Sequence, residues 1–144
     1  MCTALDVASY VLEKKGPLTA MQLEKIVYYC QAWSLVWDNV PLFEDRIEAW
    51  MNGPVIPTLF EQHKGRFKIG ISDINGNFNN LSDVQRETID EVMKFYADKS
   101  AQWLSDLTHR EKPWIEARQG LALDQRGNNE ITQSAMHEYY SSIQ

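Results

Sequence analysis

Asp106, His109 and Glu111 form the densest local cluster of groups able to do chemistry, inside the segment LSDLTHREKPW at residues 104–114. An imidazole between two carboxylates suits metal coordination or general acid–base transfer, provided the three converge with groups from elsewhere. The same residues suit a helix end. A histidine or Arg110 near the last carbonyls complements the helix dipole, and Thr108 or Glu111 caps the helix that follows. The helix-end reading is the simpler one, because His63 and His137 are too distant in sequence to be placed beside the cluster. Cys2 and Cys30 cannot make a disulfide framework and lack zinc-ligand spacing. Cys30 reads as a small core residue, since a reactive thiol wants an electropositive, exposed setting. His63, Lys64, Arg66 and Lys68 make one basic knot, suited to a phosphate, an acidic partner or a solvated turn. The chain has no glycine-rich phosphate loop: Gly53 is followed by Pro54, which removes an N–H that a cradle needs. No Gly-x-Ser-x-Gly elbow and no His-Glu-x-x-His motif occurs.

These residues must be positioned by helices. Residues 3–15 read as a helix with Thr3 as N-cap and Leu5, Ala8, Val11 and Leu12 on one face, ended by Gly16-Pro17. Residues 20–37 contain no Pro or Gly, and Thr19 can cap them. Ala20, Leu23, Val27, Cys30, Ser34 and Trp37 make one stripe; Met21, Tyr28 and Leu35 make a second; Ile26, Tyr29, Trp33 and Val36 make a third. A helix apolar nearly all round is buried on several sides, so this segment is expected to be the central helix. Pro57 opens a helix to about residue 64. Residues 66–71 and 77–79 flank the turn signal Asn75-Gly76-Asn77, which predicts a small β-hairpin there. Ser82 and Gln85 form a capping box for the next helix, Ser100 caps another, Pro113 starts a short one, and residues 132–142 make the last. The expected fold is mainly α: one compact helical domain over residues 1–144, with six or seven helices and that hairpin near 66–79.

Composition agrees with a single globular domain. The 144 residues are 44% hydrophobic and 24% charged, and chains of this length bury a core without staples. Lys plus Arg is 14 against 20 Asp plus Glu, a net charge of −6, which argues against nucleic acid. Residues 3–37 resemble a helix-turn-helix, but the second helix carries only Lys25 as a basic residue, and phosphate neutralisation needs several. No uncharged run exceeds that of residues 26–37, which contains Gln31 and Ser34 and is shorter than the roughly 20 apolar residues of a membrane span. No stretch resembles a signal peptide, so a soluble chain in a reducing cytoplasm is expected. Most of the 5 Trp, 6 Tyr and 5 Phe read as core filling, and the surplus could anchor an interface.

Three segments carry a resemblance. MQLEKIVYYCQAW at 21–33 resembles the signature helix of the Panacea domain, the SocA-like and GepA-related antitoxin family. PLF at 41–43 followed by IEAWMNGPVIP at 47–57 is similar to its second signature, and LSDLTHREKPW at 104–114 to its third. The three occur in the family's order. Glu24 and Cys30 depart from it, and residues 64–80 do not align. The resemblance implies a small antitoxin of a two-gene pair that neutralises by direct protein–protein contact. Such antitoxins are paired with unrelated toxins, alarmone-synthetase-like ones among them, and occur on prophages and other mobile elements. One relative delivers its toxin to a protease as an adaptor.

The expected function is therefore a cytoplasmic antitoxin, not an enzyme, whose partner is a cognate toxin protein, with no cofactor and no metal. The alternatives are a proteolytic adaptor, a prophage-associated interaction protein without a toxin and, more remotely, a metal-dependent enzyme. Lys25, Tyr28, Trp33, Glu48, Trp50, Gly53, Pro54, His109, Glu111 and Trp114 lie in the matching motifs. They are expected either to hold the helices together through an internal polar network or to form a partner-binding site. Residues 64–80 and the last helix are where a toxin surface is expected first.

Overall fold

The computed structural model describes residues 2–144. Seven helices are present among them: α1 (Ala4–Lys15), α2 (Ala20–Trp37), α3 (Pro57–His63), α4 (Asp83–Tyr96), α5 (Ala101–His109), α6 (Lys112–Ala117) and α7 (Gln133–Ile143). Local chemistry sets their starts. Thr3 and Asp6, Thr19 and Gln22, and Ser82 and Gln85 make reciprocal capping boxes, and Ser100 and Thr132 cap α5 and α7. Proline occupies the first turn of α3 and α6, where no intrahelical N–H is needed. Among the described residues no helix is long and apolar enough to cross a membrane.

The central helix is α2, about 27 Å long at 1.5 Å per residue. Every residue from Leu23 to Ala32 is buried, charged Glu24 and Lys25 included. It packs against α1, α4, α5, α7 and a strand pair, so it is covered on several sides. The core gathers Leu23, Ile26, Val27, Tyr28 and Tyr29 of α2 with Val7 and Val11 of α1, Ile89 and Val92 of α4, and Tyr140 of α7.

Four short strands make two antiparallel pairs: β1 (Leu18–Thr19) with β4 (Lys68–Ile69), and β2 (Glu48–Trp50) with β3 (Gly53–Val55). The hairpin expected within 66–79 is absent. Residues 68–69 pair with 18–19 instead, and 78–80 form a 3-10 turn. The Asn75-Gly76-Asn77 signal serves another purpose, which is to bring the backbone against the start of α1. Asn77 N and Asn80 Nδ2 donate to buried Asp6 at 2.8 and 3.3 Å, and a Cβ on Gly76 would collide with the Leu5 carbonyl. The hairpin that does form is β2–β3, turning through Met51 and Asn52 ahead of Gly53-Pro54. Proline fits there because β3 is a short edge strand, paired among the described residues with β2 alone.

Candidate functional site

The β2–β3 hairpin is held by side chains that reach successive backbone carbonyls. Arg118 Nη1 donates to Ala49 O at 3.3 Å, Trp114 Nε1 to Trp50 O at 2.8 Å, and Ser105 Oγ to Asn52 O at 2.9 Å. His109 Nε2 lies 2.9 Å from Met51 O, and its Nδ1 faces the Ser105 carbonyl. A neutral imidazole donates through one nitrogen only, so the tautomer decides which carbonyl it satisfies. The His109 and Trp114 rings also pack together, with centroids 4.1 Å apart. From the opposite side Lys25 Nζ donates to Pro54 O at 3.1 Å. Burial lowers the Lys25 ammonium from 10.5 to about 8, with the adjacent Glu24 charge opposing the shift. Gly53, at φ +120°, lets this happen: a Cβ there would lie 2.7 Å from Lys25 Cε and 3.0 Å from Thr108 Oγ1.

A second network lies deeper. Tyr29 and Tyr140 both donate to Glu111 Oε1 at 2.7 Å, and the Tyr28 and Tyr140 hydroxyls are 3.0 Å apart. The Tyr29 ring stacks on Tyr96 at 4.1 Å, and Trp33 Nε1 donates to the Tyr96 hydroxyl at 3.0 Å. Burial raises the Glu111 carboxyl, and the two tyrosine donors pull it back. Burial also raises the phenols of Tyr28, Tyr29 and Tyr140 far above their ordinary value, and that of Tyr96 to about 12.

The third feature is a buried acid–imidazole pair. Glu24 Oε2 and His63 Nε2 are 2.6 Å apart, with side chains only 1% and 5% exposed. Glu24 Oε1 accepts from the Ile56 amide at 2.9 Å. Both residues line a cleft of about 880 Å³ whose walls include Met21, Trp50, Met51, Val55, Phe60 and Phe67. Trp50 and Phe60 meet edge to face at 4.9 Å.

The expected residues thus fall into two groups. Lys25, Trp50, Gly53, Pro54, His109 and Trp114 come together at the hairpin, while Tyr28, Trp33 and Glu111 belong to the tyrosine cluster. Glu48 opens β2 of the same hairpin and accepts from Trp50 Nε1 and Arg46 Nε, each at 2.8 Å. Asp106, His109 and Glu111 do not converge. Asp106 is exposed and accepts from Gln102, His109 meets the hairpin, and Glu111 meets the tyrosines. No group of three or more His, Cys, Asp or Glu side chains able to hold a metal occurs among the described residues. Cys30 is buried in the core, where burial raises its thiol. The knot of basic residues divides: His63 turns inward to Glu24, while Lys64, Arg66 and Lys68 stay exposed.

Sequence reasoning missed the Glu24–His63 pair, whose members are 39 positions apart. The signal for it was a carboxylate inside the most apolar helix, since a buried acid needs a buried partner. Arg118 and Tyr140 were missed too, because both lie beyond the third motif.

The family described as Antitoxin SocA-like, Panacea domain matches residues 23–115, which takes in nearly all of the three motifs and both networks' central residues. No curated protein and no solved structure matches the chain. Over that span, well beyond half its length, the chain belongs to the SocA-like antitoxin family with the Panacea domain.

Proposed function

We propose that this protein is the antitoxin of a toxin–antitoxin pair and neutralises its toxin in the cytoplasm by direct protein–protein binding. Family membership carries the proposal. The hydrogen bonding of the motif residues refines it. Lys25, His109, Glu111 and Trp114 direct their polar atoms to groups within the chain, which favours a scaffold role and leaves toxin contact to neighbouring surface. The net charge of −6 suits a partner with a basic face, where complementarity chiefly speeds encounter. The dispersal of Asp106, His109 and Glu111 supports a binding protein over an enzyme. Burial of Lys25, the one basic residue of α2, supports a protein partner over DNA.

The test is co-expression with the protein of the adjacent open reading frame. The chain is expected to restore growth and to co-purify with that protein at fixed stoichiometry. A folded chain that does neither contradicts the proposal.

A further inference from the structure

The cleft beside the Glu24–His63 pair has a lining unlike the rest of this acidic chain. Its volume, about 880 Å³, lies in the range of specific binding sites. Glu24 is the only carboxylate in the lining, and its two oxygens are taken by His63 and the Ile56 amide. Three cations line it: Lys64, Arg66 and Arg126. Lys64 pairs with Glu61 at 3.0 Å and Arg66 with Asp73 at 2.7 Å, both exposed pairs that hold weakly, and Arg126 has no ion pair among the described residues. His63, also in the lining, is 4% exposed, with its Nε2 turned to Glu24. At the mouth, Phe67 is 80% exposed, so apolar surface continues outside the cavity. A small molecule enclosed by the cleft would leave that ring in water, whereas a chain passing across it covers the ring and reaches the cations.

We propose that this cleft is the toxin-docking site, and that it takes a toxin segment presenting a bulky apolar side chain beside one or more carboxylates. The apolar group packs in the cleft against Met21 and the contacting Trp50 and Phe60 rings, and the carboxylates meet Arg126 and Arg66 at the rim. This rests on the antitoxin reading above. It also separates roles within the family motifs: the hairpin network holds the Trp50 backbone, and the part of the Trp50 ring that lines the cleft belongs to the partner.

The test measures the affinity of the purified full chain for an activity-attenuated form of the toxin encoded beside it. Phe67→Glu and Arg126→Glu alter exposed residues and should melt like the wild type. Each is expected to weaken binding at least about tenfold, as loss of an interface anchor does, with Arg126→Lys near wild type. Val84→Glu, on the exposed N-terminal turn of α4 outside the cleft, should bind within about twofold of wild type. Wild-type affinity in both cleft variants overturns the docking site while leaving the antitoxin reading intact. A folded wild type that does not bind the toxin overturns both. A wild-type homodimer that Phe67→Glu splits, with toxin affinity unchanged, would give the cleft to a second copy and also overturn the proposal.

Discussion

Lys25 crosses so close over Gly53 that a Cβ on the glycine would lie 2.7 Å from Lys25 Cε, and beyond it the ammonium donates to Pro54 O at 3.1 Å. The first and second motifs therefore meet backbone to side chain, with no room for a methyl group. Gly53→Ala faces both this collision and a φ of +120° that L side chains rarely adopt. Unfolding in urea should show a loss of about 1–3 kcal/mol or more. An unchanged midpoint would mean that the hairpin shifts freely and is not locked by Lys25.

Lys25 also gives a pH signature. It releases its proton near pH 8 in the folded chain and near 10.5 when unfolded. Below pH 8 the unfolded state holds the charge at lower cost, so the lysine opposes folding, and this penalty fades between pH 8 and 10.5. Lys25→Met lacks the penalty at every pH. The stability of the wild type relative to Lys25→Met should therefore rise with pH across this window, by up to about 1.4 kcal/mol per pH unit. Cys2, raised by burial to about 12, and the buried tyrosines act in the opposite direction, but they are common to both proteins and cancel in the difference. A pH-independent difference would contradict the burial of the ammonium.

Glu111 accepts two tyrosine hydroxyls on one oxygen. Glu111→Gln keeps a carbonyl at that place and should retain most of the stability. Glu111→Ala leaves two buried donors without an acceptor and should cost on the order of 2–5 kcal/mol, read from thermal unfolding. Equal losses in the two variants would show that the charge, and not the acceptor, matters.

Helices were legible in the sequence where capping residues and apolar period agreed, so α2 falls at residues 20–37 as expected and Thr3, Thr19, Ser82 and Ser100 cap as expected. The strands were not. Each is two or three residues long, too short for alternation to register, and β1 and β4 are brought together from 50 residues apart. The motif residues were identifiable, but their partners were not. Four side chains from α5, α6 and the segment after them reach carbonyls of the hairpin, and a backbone carbonyl has no sequence identity to match. The cleft was invisible for a similar reason, since Met21, Phe60, Phe67 and Arg126 come from four separate segments.

If the third motif acts through the scaffold, its variants should change stability and leave the affinity of the folded fraction alone. His109→Ala frees the Met51 carbonyl and uncovers the Trp114 ring it packs against, and should lower stability by about 1–2 kcal/mol. Its toxin affinity, measured well below the unfolding midpoint, should match wild type within about twofold. A large loss of affinity in a fully folded His109→Ala protein would place His109 at the interface instead.

The most direct measurement is growth of cells expressing the adjacent open reading frame, with and without this chain, together with affinity purification of the chain. Restored growth and a stoichiometric complex are expected. Continued growth arrest with the chain folded, abundant and alone on the column would contradict neutralisation by direct binding.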